Sequence, residues 1–369
     1  MKNKSMFFVV GRLGNTLVYQ KVKPFSNLGI YDRIYVFKEN DGIEMDNVKY
    51  IQLPTWIKKI KAEIFRKFIR QLYEPIQLLK YTIKYKPEYI NGIYTLPKGL
   101  NAVIVGLLTG TKSIVSVIGN TIEIDTYYKW KFFWRNLNIW MLNKTNIVTT
   151  KGLTVTNYAV SFGIAKEKIF EFPGFVDTDI FYSDNVKERD IDILFVGTFR
   201  KLKGPDKIVK MIKKLILTFP NIKSCFLGKG YLFDEVQDMI IKLELQKNII
   251  LEGYRSDTPV FFQRAKILLM PSRSEGLSMA MLEAMACGCV PVVSNVGNMT
   301  DAAHNGINSF VVDDYTDIDT FVKYIKLLLE APNKHEKMAQ NAIQTVKTKY
   351  SLQPQTKIAK QIIDYGDKL

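Results

Sequence analysis

The stretch LLMPSRSEGLSMAMLEAMACGCVPVVSNVGN, residues 268–298, indicates how the second half of the chain folds. The apolar run ending at Met270 predicts a buried strand, the periodic segment 277–286 predicts a helix, and 290–293 predicts the next strand. Gly288 is expected to end the helix, because glycine readily adopts the left-handed conformation found there. The stretch is therefore a strand–helix–strand unit of a parallel sheet.

Apolar runs and longer helical patterns alternate along the rest of the chain as well. In the first half the expected strands are residues 6–10, 34–37, 50–53, 89–94, 113–118 and 147–150. In the second half they are residues 192–196, 223–227, 249–251, 267–270, 290–293 and 309–312. Strands separated by helices form parallel sheets, so two such series predict an α/β protein with two doubly wound, Rossmann-like domains.

The two series are separated by a break at 172–190, where a Pro-Gly pair interrupts the pattern and a charged stretch follows. We expect a first domain over residues 1–172 and a second over 173–349. The segment 350–369 predicts one more helix, packed back on the first domain. Ligands of doubly wound domains bind beyond the carboxyl ends of the strands, so two facing domains would form a binding cleft.

The composition is that of a globular protein with a basic excess. The 369 residues are 47% hydrophobic and 24% charged, which excludes a disordered chain. A net charge of +16 indicates an anionic partner, either phosphate groups or a membrane surface. Nucleic acid is not expected, because no nucleic-acid-binding motif accompanies the charge. The three cysteines, Cys225, Cys287 and Cys289, have no paired spacing, so we expect buried, unreactive thiols in a reducing, cytoplasmic compartment.

Two segments of the first half combine basic and aromatic residues. In 58–86 the basic residues are Lys58, Lys59, Lys61, Arg66, Lys67, Arg70, Lys80, Lys84 and Lys86. Apolar residues recur among them at helical spacing, and a second segment, 127–144, contains three of the four tryptophans. Such a helix is typical of an element that lies on a membrane surface. The alternative is an ordinary helix whose apolar stripe packs on its own sheet. The run that starts the chain is too short for a signal peptide, and 102–108 is far short of the ~20 residues of a membrane span.

A loop suited to phosphate follows the first strand of the second half. In DILFVGTFRKLKGPDKIVKMIKKL, residues 192–215, Gly197 is expected to allow a tight turn where the strand ends. Arg200, Lys201 and Lys203 then lie beside a helix N-terminus, a position that favours an anion.

Two glutamates accompany a second anion site. Glu275 precedes the helix expected at 277–286, and Glu283 lies about two turns along it. The helix start leaves backbone amides at Leu277, Ser278 and Met279 for an anion. Carboxylates beside such a site suit sugar hydroxyls, so the pattern indicates a sugar nucleotide. Two solvated surface acids are the alternative interpretation.

The segment SEGLSMAMLEAMACGCVPVV closely resembles the signature of the retaining GT-B glycosyltransferases of family 4. That signature has Glu, seven residues, Glu, then Ala-Met-Ala, a Gly and Pro-Val-Val. Further stretches similar to the family are VGTFRKLKG, KEKIFEFPGFVDTDIF (166–181), FLGKGY (226–231), ILEGYRSD (250–257) and GNMTDAAHNGINSFVV (297–312). The first 150 residues match only in pattern.

The resemblance implies a GT-B fold and a donor site in the second domain. Arg200 and Lys203 would bind the donor diphosphate, and the amides of Leu277 and Ser278 its distal phosphate. Glu283 would bind the ribose. Glu275 would bind the transferred sugar and would form the catalytic group with Arg200 and Lys203. The same resemblance places Gly197 and Gly276 in the donor site, and Gly11, Gly14 and Gly119 on the acceptor side.

Several positions depart from the family pattern. Thr198 stands where an arginine often follows the glycine, and Lys229 stands where an acidic residue is usual. Ile118 stands where the family's first domain usually has a histidine, and the only histidines, His304 and His335, are in the second half. A mechanism that uses a first-domain histidine is therefore excluded here.

The resemblance implies a hexosyltransferase that moves a sugar from a UDP- or GDP-linked donor to a lipid-linked saccharide, in surface polysaccharide or glycolipid synthesis. We expect no metal and no further cofactor, because Asp177 and Asp179 fit the interdomain segment better than a metal site. The expected location is the cytoplasmic face of the membrane, bound peripherally to anionic lipid. Two alternatives stay open: a catalytically impaired, membrane-associated partner subunit, and a sugar phosphorylase or epimerase on the same fold.

Overall fold

The computed structural model describes residues 4–119, 121–125, 131–183 and 189–369. The chain divides into two compact units, which we call unit 1 (Met1–Phe175 with Leu352–Leu369) and unit 2 (Val176–Ser351). The chain passes from unit 1 to unit 2 after Phe175 and returns to unit 1 after Ser351. These two places are adjacent, because the Val176 amide donates to the Tyr350 carbonyl at 2.7 Å. The boundaries thus fall two or three residues later than the sequence suggested.

Unit 1 contains a seven-stranded sheet in the order β3-β2-β1-β4-β5-β6-β7, with every neighbouring pair parallel. The strands are β1 (Ser5–Gly11), β2 (Arg33–Lys38), β3 (Val48–Ile51), β4 (Tyr89–Ile93), β5 (Lys112–Val117), β6 (Ile147–Thr150) and β7 (Ile169–Glu171). The helices are α1 (Asn15–Ser26), α2 (Thr55–Lys58), α3 (Glu63–Tyr85), α4 (Leu100–Thr109), α5 (Ile122–Asp125), α6 (Lys131–Lys144) and α7 (Leu153–Ser161).

Unit 2 contains a six-stranded parallel sheet in the order β10-β9-β8-β11-β12-β13. Its strands are β8 (Ile191–Val196), β9 (Ser224–Leu227), β10 (Ile249–Gly253), β11 (Ala265–Met270), β12 (Val290–Ser294) and β13 (Phe310–Val312). Its helices are α8 (Pro205–Leu215), α9 (Phe233–Lys242), α10 (Thr258–Arg264), α11 (Met279–Ala286), α12 (Ile318–Glu330) and α13 (Pro332–Thr345).

Strand β8 shows why this sheet is covered on both sides. Ile193 and Phe195 pack into one apolar cluster, and Leu194, which lies between them, packs into the other. Side chains alternate along a strand, so a strand with apolar residues at both parities requires helices on both faces.

The last helix, α14 (Leu352–Asp367), belongs to unit 1. Its Ala359, Ile362 and Ile363 are buried in the same cluster as the core side chains of β1. The Tyr89 hydroxyl donates to the Asp367 carboxylate at 2.7 Å, which ties the end of the helix to β4.

Helix α3 does not bury its apolar stripe. Its inward side buries Gln77, Leu78 and Thr82, and Arg70 also turns toward the unit, where it pairs with Glu39. The apolar residues on the outside are 53–86% exposed: Trp56 just before the helix, then Ile64, Phe65, Phe68, Leu72, Ile76 and Ile83. The alternative interpretation, in which this stripe packs on its own sheet, is therefore wrong. No helix within the described ranges is long and apolar enough to cross a membrane.

Candidate active site

The topology of unit 2 joins the two loops that the sequence analysis selected. Strand β8 lies between β9 and β11, so the chain moves outward in opposite directions from the β8–β11 pair. A crevice forms beyond the carboxyl ends of two such strands, and this is where doubly wound sheets bind ligands. Gly197, Arg200 and Lys203 follow β8, and Glu275 to Ser278 follow β11.

Lys203 and Glu275 form an ion pair at this crevice. The Lys203 Nζ lies 2.6 and 2.7 Å from the two carboxylate oxygens of Glu275. The Glu275 side chain is only 8% exposed and that of Lys203 is 24% exposed. A pair this far from water interacts strongly, and each partner balances the other's buried charge. The two loops are also joined through their backbones, because the Arg273 amide donates to the Leu202 carbonyl at 2.8 Å.

Arg200 lies on the same loop but in a different setting. Its carbonyl accepts from the amides of Lys203 and Gly204, so it stands on a tight turn, and its side chain is exposed. Among the described side chains the structure gives it no ion pair with Glu275. Arg200 is therefore placed to bind an incoming anion from the solvent side.

Glycines allow close backbone contacts around both loops. A Cβ on Gly228 would lie 1.9 Å from the Gly197 carbonyl oxygen, and a Cβ on Gly297 would lie 1.9 Å from that of Glu275. Both glycines have positive φ, whereas Gly197, from which a tight turn was expected, does not. Gly197 instead forms the surface against which Gly228 packs. The sequence analysis missed Gly228 and Gly297 because these contacts join separate strand ends.

Helix α11 begins two residues later than expected, at Met279. Ser278 is its N-cap, with its Oγ accepting from the Met281 amide at 3.4 Å. The amides of Ser278, Met279 and Ala280 therefore have no partner within the helix, and free amides at a helix start favour an anion. Leu277 precedes the cap, and its side chain is buried in the core.

The opposite end of α11 agrees with the expectation for Gly288. This glycine has φ +73°, and the amides of Gly288 and Cys289 donate to the carbonyls of Met285 and Ala284. That arrangement is a Schellman motif.

Glu283 lies about one turn inside α11 rather than two, because the helix starts later. Burial raises the pKa of its carboxyl to about 7. Glu283 is half-buried rather than fully exposed, so the interpretation as a solvated surface acid does not fit it. It lies on the helix whose first turn offers free amides.

The three glycines expected on the acceptor side lie in unit 1: one at the end of a strand, one just before a helix and one just after a strand. Gly11 ends β1 at φ +64°, Gly14 is the residue before α1, and Gly119 follows β5. The Gly119 amide donates to the carboxylate of Glu123 at 2.5 Å, and burial raises the pKa of that carboxyl to about 7. Ile118, at the position of the family's histidine, is buried. Sequence reasoning missed Glu123, since nothing in its local pattern marks a partly buried acid.

Other sequence features can be placed as well. Cys225, Cys287 and Cys289 are free and buried, and burial raises the pKa of each thiol, to about 12 for the first two. The Asp179 amide donates to the Asp177 carboxylate in a turn, and the described residues include no cluster of three His, Cys, Asp or Glu suited to a metal. Tyr127 and Trp130 of the aromatic segment lie outside the described residues.

Comparison with known proteins agrees with this geometry. Residues 177–345 match the family described as "Glycosyl transferases group 1". An uncharacterized glycosyltransferase of Methanocaldococcus jannaschii is 31% identical over 137 residues, which is 37% of each chain. A UDP-Gal:alpha-D-GlcNAc-diphosphoundecaprenol alpha-1,3-galactosyltransferase of Escherichia coli is 25% identical over 167 residues, 44% of this chain and 39% of that one. The matched regions thus span less than half the length of these relatives.

Structural similarity extends over the whole chain. The crystal structure of Anabaena Alr3699/HepE in complex with UDP has a TM-score of 0.77 at 14% identity, and it covers 99% of this chain and 100% of its own. The predicted GT-B fold is therefore confirmed, and the group 1 glycosyltransferase match lies within unit 2, which carries the Lys203–Glu275 pair.

Proposed function

We propose that the protein is a retaining glycosyltransferase of family 4 that moves a hexose from a nucleotide sugar to a lipid-linked saccharide. The observation that carries the proposal is the β8–β11 crevice. It combines an exposed arginine, a lysine–glutamate pair and a capped helix N-terminus, all within the region that matches group 1 glycosyltransferases.

The donor would bind along this crevice through its charges and hydroxyls. Arg200 and Lys203 neutralise the diphosphate, and the backbone amides near Ser278 bind its distal phosphate. Glu283 accepts hydrogen bonds from the ribose, and Glu275 accepts them from the transferred sugar. Gly197 and Gly276 leave room for the donor beside the backbone. The relatives support a UDP-linked donor, because the Anabaena structure holds UDP and the E. coli enzyme is named for UDP-Gal.

Transfer with retention needs no enzyme base in this arrangement. The bond between the anomeric carbon and the phosphate oxygen breaks, and the acceptor oxygen bonds to the same face of that carbon. The acceptor proton moves to the leaving phosphate oxygen. Arg200, Lys203 and the helix amides stabilise the charge that develops on the diphosphate, a contribution worth ~10²–10³ in turnover per contact. The absence of a histidine at Ile118 is compatible with this course.

Three observations support an acceptor held at a membrane. The exposed stripe of α3 is flanked by Lys80 and Lys84, and exposed Phe132 and Phe133 begin α6 of the same unit. The E. coli relative is named for a diphosphoundecaprenol acceptor. An exposed apolar stripe beside lysines is the composition of a helix that lies in the interface of an anionic bilayer. We therefore propose peripheral binding to the cytoplasmic leaflet.

A transfer assay tests the proposal directly. Purified protein is incubated with UDP- and GDP-hexoses and with GlcNAc-diphosphoundecaprenol in anionic micelles, and products are identified by mass spectrometry and anomeric NMR. Transfer with the donor's anomeric configuration is expected. Release of sugar phosphate or epimerised donor without acceptor indicates the phosphorylase or epimerase alternative. A donor left intact with every acceptor indicates a catalytically impaired subunit.

A matched pair of variants tests whether the transfer reaction takes place in the β8–β11 crevice. Glu275→Gln is expected to abolish transfer, whereas Glu235→Gln, which changes an exposed acid of α9, should leave it unchanged. Equal activity of the two variants would contradict the site.

A further inference from the structure

A tyrosine with a strained backbone conformation, Tyr94, directly follows β4 in unit 1. Tyr94 has φ +72° and ψ 152°, a combination that is essentially restricted to glycine. Lys86, which also has a positive φ, is in the ordinary left-handed conformation that ends helix α3. Strained residues of the first kind persist only where the surrounding structure fixes them, and they cluster at functional sites.

Hydrogen bonds of Tyr94 and of the next residue, Thr95, hold the strained backbone in place. The Tyr94 amide donates to the Ser116 carbonyl of β5, and the Tyr94 carbonyl accepts from the Gly99 amide, each at 2.9 Å. The next amide, that of Thr95, donates to the Glu123 carboxylate at 2.8 Å, and the Thr95 hydroxyl donates to the Glu123 carbonyl. The other carboxylate oxygen of Glu123 accepts from the Gly119 amide at 2.5 Å. Glu123 thus ties the turn after β4 to the loop after β5.

Tyr94 lies at the position in the unit 1 sheet that corresponds to the β8–β11 crevice of the unit 2 sheet. Strand β1 lies between β2 and β4, so the chain moves outward in opposite directions from the β1–β4 pair. Lys98, in the turn that follows Tyr94, passes against Gly11 at the end of β1, where a Cβ would lie 2.6 Å from the lysine Cε. The turn after β4 therefore contacts the end of β1 at Gly11, and Glu123 links it to Gly119 beyond β5.

The chemistry of the exposed group suits a sugar ring. Tyr94 is about one-third exposed although its backbone is fully bonded. A tyrosine ring offers an apolar face with a hydroxyl at its edge. A pyranose has apolar C–H faces and hydroxyls around its edge, so the two surfaces are complementary.

We propose that Tyr94 is the contact for the sugar ring of the acceptor, and that Glu123 is the positioning residue that holds it. The proposal rests on the proposed glycosyltransferase function and names the part of the acceptor that unit 1 recognises. This role explains why the strained backbone of Tyr94 is kept. An unstrained backbone conformation would point the tyrosine ring in another direction.

The test compares pairs of variants by ligand-observed NMR with methyl hexosides and methyl N-acetylhexosaminides. Wild type is expected to give saturation transfer to at least one glycoside, and Tyr94→Ala and Tyr94→Gly are expected to lose it at least tenfold. Tyr94→Gly should melt above Tyr94→Ala, because glycine accepts the positive φ. Lys86→Gly relaxes a positive φ away from the turn and should keep glycoside binding.

Glu123 is tested by the same measurement with UDP as the internal reference. Glu123→Ala should weaken glycoside binding while UDP binding is unchanged, and Glu123→Gln, which keeps one acceptor oxygen, should lie between. Loss of UDP binding as well would indicate a general structural role and would overturn the positioning role. Unchanged glycoside binding by Tyr94→Ala, or none by wild type, overturns the proposal. Failure of the proposed function gives a different result, namely no UDP binding and no transfer.

Discussion

At the scale of single residues, the Lys203–Glu275 pair is the feature on which the proposed donor site depends. Removing one partner leaves a buried charge without compensation, which costs roughly 3–5 kcal/mol for fully buried pairs. Lys203 is about a quarter exposed, so we expect Lys203→Met and Glu275→Leu each to cost about 2 kcal/mol. The double variant should cost clearly less than the sum, since both charges are then absent. Urea unfolding of the four proteins measures this coupling, and additive single effects would contradict it.

Glu283 leads to a prediction about pH. Its folded-state pKa is about 7 against an ordinary 4.5, so the folded protein holds this proton over a range in which the unfolded chain has lost it. Stability therefore falls as pH rises from about 4.5 to 7, by roughly 3 kcal/mol if this group acts alone. Glu283→Gln should remove that part of the slope. Melting curves of both proteins between pH 5 and 8 check it, and parallel curves would show that Glu283 is solvated.

At the scale of elements, α3 is the part of unit 1 that the surrounding fold does not cover. Each exposed basic residue contributes ~1 kcal/mol near an anionic leaflet, and buried apolar surface adds ~25 cal/mol per Å². We expect Phe68→Ser with Leu72→Ser to reduce binding to vesicles of anionic phospholipid at least tenfold, without lowering the melting temperature. Leu217→Ser, at a comparably exposed apolar position in unit 2, is the control. Co-sedimentation with the vesicles at low salt measures binding. Equal binding of the wild type, the double variant and the Leu217→Ser control would contradict the membrane role.

The elements also show what the sequence could predict. The alternation of apolar runs and helices predicted twelve of the thirteen strands found in the described part of the chain, because buried parallel strands are continuous apolar runs. Strand β7 was missed, since its two apolar residues, Ile169 and Phe170, are followed by Glu171 and form no apolar run. The apolar stripe of α3 was visible, but whether it points inward or outward depends on which of its sides the sheet covers.

The residues of the candidate site were also predictable from the sequence only in part. Lys203 and Glu275 were selected because they lie on loops at strand and helix ends, and Glu283 because of its place in the motif that resembles the family signature. The ion pair itself joins positions 72 residues apart, so no local pattern could show it. The same holds for Glu123, whose carboxylate becomes partly buried only when the ends of β4 and β5 come together around it.

At the scale of the whole molecule, the remaining question is how the donor's diphosphate is neutralised. In the donor site that we propose, the exposed Arg200, the Lys203 side chain and the free amides at the start of α11 would bind the diphosphate. We therefore expect transfer and UDP binding to be independent of divalent ions. The measurement is calorimetry of UDP binding, with transfer rates, in EDTA and in Mg²⁺ or Mn²⁺. Arg200→Ala should weaken UDP binding at least tenfold in both media, because the contact is charge-assisted. A loss of activity in EDTA that Mn²⁺ restores would show that a metal ion supplies the charge assigned here to these side chains.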